Sequence, residues 1–109
     1  MESYKEKGAL QISRDAICAI AGACAGEVEG VAGIARRGPG GKKPVSVVLR
    51  ENLLEISLGI TLKHAAKIAE TCTAVQQRVK DNVQTMTGMA VGKVNVKVSR
   101  VVFPGEKQQ

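Results

Sequence analysis

Leu54-Glu55-Ile56-Ser57-Leu58-Gly59-Ile60-Thr61-Leu62-Lys63 is the most regular stretch of the chain, with an aliphatic residue at every even position and a polar or small one at every odd position. Side chains alternate across a strand with period two, so this segment reads as a strand with one buried face and one wet face. That division calls for helices on one side of a sheet and solvent on the other.

Working outward, Val45 to Leu49 reads as a second strand, and a tight connection at Glu51-Asn52 joins the two as a β-hairpin. Downstream, from Ala65 to about Met86, the residues Ile68, Ala69, Cys72, Val75, Val79, Val83 and Met86 form one stripe at helical period. Lys67, Glu70, Gln77, Lys80, Asp81 and Gln84 occupy much of the remaining surface, so a long amphipathic helix is predicted, stopped by Gly88. Val94, Val96 and Val98 then alternate with Lys93, Asn95, Lys97 and Ser99 in a last strand. Val101-Val102-Phe103 breaks the phase, which predicts a bulge or an exit from the sheet near Arg100.

Upstream, Gly30 to Ala35 reads as a short extended segment. Ser13 offers an N-cap hydroxyl and Asp15 an acid in the first turn of a helix carrying Ile17, Ile20, Ala21, Cys24 and Val28 at helical spacing. The rest of that helix is rich in Ala and Gly, suited to close packing, and it ends near Gly26 to Gly30. Leu10 and Ile12 suggest a short strand before it. The element order is β-α-(β)-β-β-α-β. The expected fold is α+β, a two-layer sandwich with two helices packed on one face of a small mixed β-sheet. Residues 8–103 are expected to form a single domain, with 1–7 and 104–109 as flexible tails.

The 109 residues are 44% hydrophobic and 24% charged, a globular balance for one domain. One Tyr, one Phe and no Trp leave the core aliphatic, which disfavours base-stacking RNA modules, proline-rich peptide grooves and methyl-lysine cages. The formal charge is +6, and Arg36, Arg37, Lys42 and Lys43, flanking Gly38-Pro39-Gly40-Gly41, concentrate it in one loop. Three cysteines without C-x-x-C spacing argue against a disulfide scaffold and fit a reducing compartment. Neither a signal peptide nor a membrane-spanning segment is read, so a cytoplasmic location is expected.

The catalytic inventory is thin. His64 is the only histidine, it stands where a strand hands over to a helix, and no second base or ligand lies near it in sequence. Cys18 and Cys24 would project about 120° apart on an ideal helix, so the cysteines read as small apolar residues and no metal or cofactor is expected. Gly41-Lys42 is followed by Lys43 and not by Ser or Thr, which excludes a Walker loop. The loop amides could form at most an anion-binding nest. Gly30-Val31-Ala32-Gly33 matches the bare GxxG of KH domains but lacks basic residues inside and a following helix.

The strand phases do assemble one polar surface. With Leu62 and Val94 to Val98 inward, Thr61, Lys63, Lys93, Asn95, Lys97 and Ser99 share the wet face. Lys63, Lys93 and Lys97 there, together with Arg36, Arg37, Lys42 and Lys43 of the loop, are the candidate interaction residues.

Taken together, several segments resemble the alkaline-shock, or envelope stress-response, proteins of Gram-positive bacteria. Gly8-Ala9-Leu10-Gln11-Ile12-Ser13 with Asp15 and Ile17 is similar to the family's opening strand and helix start, and Glu27-Val28-Glu29-Gly30-Val31 to its helix-end signature. Gln76, Val79, Lys80, Val83, Met86, Thr87 and Gly88 resemble its second helix, and Val94-Asn95-Val96-Lys97-Val98 its last strand. Lys63-His64-Ala65 stands where members often carry Tyr-Gly, and the basic loop is not a family hallmark. The resemblance implies a non-enzymatic cytoplasmic protein of envelope homeostasis, held at the inner face of the membrane through a membrane-anchored protein partner and without direct insertion. Self-association into a homo-oligomer is also expected. Nucleic acid is the less favoured partner. The competing expectation is a polyanion-binding module, for RNA or anionic lipid, using the Arg36–Lys43 loop and the lysine face.

Overall fold

The computed structural model describes residues 12–35 and 43–103. Leu10 of the strand expected at Leu10 and Ile12, the two tails, and Arg36, Arg37 and Lys42 of the basic loop lie outside the described residues, while Ile12 lies in no strand, directly before the Ser13 cap. In chain order the elements are α1 (Arg14–Gly26), β1 (Val31–Ile34), β2 (Val45–Arg50), β3 (Leu53–Lys63), α2 (Ile68–Thr87) and β4 (Val91–Val102).

The alternating segment is the centre of the sheet. Leu54, Ile56, Leu58, Ile60 and Leu62 are each no more than 3% exposed, and burying one such side chain contributes roughly 1.5–3 kcal/mol. β2 pairs antiparallel with the first half of β3, and β1 pairs antiparallel with the end of β3, so both share one side of it. β4 runs parallel to β3 on the other side. The sheet is therefore mixed, as the α+β reading expects. Gly59 sits where β2 and β1 meet along β3: its N–H donates to the Pro44 carbonyl (2.8 Å), and its carbonyl accepts from the Ala35 N–H (2.9 Å). A Cβ there would stand 3.1 Å from Ser99 Oγ and 3.2 Å from Ala35 Cβ, so the strand needs glycine at this crossing.

Parallel strands need a crossover connection, and α2 supplies it between β3 and β4. Both helices pack on the same side of the sheet. Ser13 caps α1 by accepting from the Ala16 N–H (3.0 Å). Ala21 and Ala25, both fully buried, let α1 approach its neighbours closely. Arg78 of α2 reaches Glu27 (3.2 Å), and Asn82 donates to the Cys24 sulfur (3.2 Å).

Two boundaries and one buried face differ from the sequence reading. α2 begins at Ile68 and not Ala65, because the chain first turns out of the sheet through residues 64–66, with the Ala66 N–H on the Lys63 carbonyl (3.0 Å). The buried line of α2 is Thr71, Val75, Val79, Val83 and Thr87, a strict i, i+4 series, whereas Ile68 and Met86 are 53% and 63% exposed. Thr87 suits the core because its hydroxyl has local uses: Oγ1 donates to the Val83 carbonyl (2.7 Å) and accepts from the Met89 N–H (3.1 Å). Gly88 then closes the helix in the left-handed conformation. β4 starts at Val91, three residues before the alternation begins, because a register irregularity at Gly92 hides its first turn of phase. The break expected near Arg100 is present, with the register skipping from Val98 to Arg100.

Candidate interaction surface

No described helix covers the second face of the sheet, and strand register decides what it presents. Lys93 is the partner of Glu55, Asn95 of Ser57, Lys97 of Gly59, and Arg100 of Thr61, while Lys63 lies beside Val102. Thr61, Lys63, Lys93, Asn95, Lys97 and Ser99 are thus brought to one face. Asn95 Nδ2 donates to Ser57 Oγ across the strands (3.2 Å). Two cations that the sequence reading left out join them. Arg50 is placed by the hairpin register and pairs with Glu55 (3.5 Å); Arg100 is turned onto the face by the bulge that precedes it. The hairpin signal at Glu51-Asn52 and the phase break at Val101 were the clues to both. On the strands of this face the described cations meet one carboxylate, Glu55. At its hairpin end Val48 and Leu53 remain 40% and 43% exposed.

The outer edge of β4 is the second feature. Among the described residues β4 pairs only with β3. A strand edge leaves backbone donors and acceptors without partners, and α2 meets this need at one end of β4 only. The Val91 N–H donates to Gln84 Oε1 (3.0 Å), and Gln76 Nε2 donates to the Val94 carbonyl (3.0 Å). Gln76 and Gln84 lie on one i, i+4 line of α2 with Lys80, Cys72 and Ile68. Toward the other end of β4 that line changes from glutamine to apolar residues, and Val96 and Val98 become half-buried.

Elsewhere the candidates disperse. Lys43 is exposed and pairs with Asp15 (3.4 Å) across the start of α1, a contact worth little in water. His64 is exposed, with its ring 6.0 Å from that of Phe103. Cys24 is buried, while Cys18 and Cys72 are partly buried. Burial raises the Cys18 thiol above its usual value of 9.0, Asp15 adds to the rise and Lys43 opposes it. The thiol lies 3.6 Å from the Val45 carbonyl. Among the described residues no group of His, Cys, Asp and Glu could hold a metal ion, and no helix is long and apolar enough to cross a membrane. An open groove of about 990 Å³ runs between the end of α1 and α2. Gly30, Ala66 and Ala74 line it with Glu29, Lys67 and Arg78, so its charges are of both signs and no single polarity converges.

Known proteins match both the sequence and the fold. The uncharacterized protein Spy1614 of Streptococcus pyogenes serotype M6 is 29% identical, over 91% of this chain and 92% of that protein. Two solved variants of the MamM CTD superpose with TM-scores of 0.62 and 0.60 at 15% and 16% identity, covering 87% and 79% of this chain and 89% and 90% of theirs. At that identity the likeness is one of fold. Residues 2–103 match the family model of cell envelope-related function that the motifs in both helices and the last strand pointed to, and the chain belongs to that family, the alkaline-shock proteins.

Proposed function

We propose that this protein is a non-enzymatic interaction protein of the cell envelope, acting through protein–protein contacts on the uncovered side of its sheet and associating with itself. The observation that supports it most is the open face itself: Lys63, Lys93, Lys97, Arg50 and Arg100 stand together on the strands of one sheet face. A basic face beside an edge that α2 caps only in part suits a partner with an acidic surface better than a small substrate. In this reading the protein sits at the inner face of the membrane, held by a membrane-anchored partner. Quantitative affinity capture from native membranes tests it. A Lys63→Glu/Lys93→Glu/Lys97→Glu variant is expected to lose the partners that the wild type enriches, and a variant neutralised at Arg36, Arg37, Lys42 and Lys43 reports whether the loop adds to them. Equal recovery with the lysine-reversed variant would contradict the reading.

The same cations favour a second reading, a polyanion-binding module. Without aromatic residues on the face it would rest on charge alone, so its affinity for RNA or anionic vesicles would fall steeply with salt. Absence of binding to either at ~50 mM salt excludes it.

A further inference from the structure

We propose that the outer edge of β4 is the docking edge for β4 of a second copy of this chain, the two strands pairing antiparallel about a twofold axis at Val96. The inference rests on the self-association proposed above and supplies its surface. The regular part of β4, between the irregularities at Gly92 and at Ser99, runs from Lys93 to Val98. Residues directly opposite one another in an antiparallel pair share a face, so in this stretch valine must oppose valine and the odd-numbered polar residues must oppose each other.

Charge then selects the register. An axis at Asn95 would set Lys93 against Lys97, and an axis at Lys97 would set that lysine against itself. An axis at Val94 would run the ladder into the Gly92 irregularity and the Val91 N–H already taken by Gln84. An axis at Val98 would carry it across the Ser99 bulge. Only the axis at Val96 keeps the ladder in the regular stretch without opposing like charges. Within that stretch it pairs Val94 with Val98, Val96 with itself and Asn95 with Lys97. Val94 already accepts from Gln76, and its carbonyl has a second lone pair for the incoming strand. The twofold axis stands perpendicular to the sheet, so both helix layers lie on one side and the two basic faces join on the other. The seam covers the half-buried Val96 and Val98 and runs under the apolar end of the α2 line, where Ile68 is 53% exposed.

The test uses the full chain with Asn95→Cys and Lys97→Cys introduced singly and together, under mild oxidation, with the wild type as control for its own cysteines. Residues 95 and 97 of opposite copies would form a non-hydrogen-bonded pair with Cα atoms about 4.5 Å apart, inside the disulfide range. Like residues of the two copies would be roughly 8 Å apart, outside it. The expected result is a covalent dimer from N95C mixed with K97C and from the double variant, with each single variant alone no better than wild type. Val96→Lys sets like charges together at the axis and is expected to weaken dimerisation about tenfold without altering the circular dichroism of the half-exposed site. Because each copy carries +6, dimerisation should strengthen with salt, opposite in sign to polyanion binding. A dimer by sedimentation that gives no 95–97 cross-link overturns this edge and register but leaves self-association standing. A monomer across a hundredfold concentration range overturns both.

Discussion

Gly30 shows how one residue ties the family signature to the fold. Its φ of 96° and the approach of Ala66 Cβ and Thr71 Oγ1, each 3.1 Å from where a Cβ would be, leave no room for a side chain. Gly30→Ala is expected to destabilise by on the order of 2–3 kcal/mol in urea titrations. Gly26→Ala, with nothing within 4 Å, should be neutral or slightly stabilising. Thr87→Val tests the α2 core in the opposite sense to hydrophobicity. It removes the hydroxyl that caps the helix end and is expected to lower stability by about 1–2 kcal/mol, whereas Met86→Ala, at an exposed position, should change it by less than about 0.5 kcal/mol. Cys18 contributes a pH term. The folded state holds the thiol proton more tightly than the unfolded chain, so the associated stability is complete below pH 9 and is lost as pH rises through the elevated value. Cys18→Ala should flatten that decline, read from urea midpoints at about pH 8 and about pH 10.

Among the elements, the β2–β3 hairpin turns on Glu51 and Asn52, both with positive φ (51° and 68°), the combination that a two-residue turn requires and that Asn-Gly adopts most readily. Glu51→Asn/Asn52→Gly is therefore expected to raise stability by about 1 kcal/mol with the sheet unchanged by amide chemical shifts. Legibility follows the same physics. β3 was readable because period-two burial on one face is imposed on every residue, and the phases of β3 and β4 put Lys63, Lys93 and Lys97 on one face for the same reason. The ends of α2 were not readable by hydropathy, since Thr71 and Thr87 fall on the buried line by position, Thr87 with its hydroxyl bonded locally, while Ile68 and Met86 are exposed. Gln76 and Gln84 carry no local signal at all: their use as caps of the β4 edge exists only once a helix and a strand distant in sequence are packed together. The parallel pairing of β3 with β4 is of the same kind, since alternation specifies faces and not neighbours.

For the whole molecule, the uneven distribution of side chains is the basis of the functional reading. One side of the sheet is closed by two helices with an aliphatic interior, and among the described residues no buried side-chain nitrogen or oxygen lacks a partner. The other side is left open and basic, next to an edge that α2 caps only in part. In the proposed reading this open side is the surface that a partner covers, and membership of an envelope-related family makes native membranes the place to look for it. The most direct test of that claim is the fraction of the protein recovered with native membranes at physiological salt, measured for the wild type and for Lys63→Glu/Lys93→Glu/Lys97→Glu at equal expression. The account predicts that the wild type is retained and the variant is released to the soluble fraction. Equal retention of the two, or a wild type that never sediments with membranes, would contradict it.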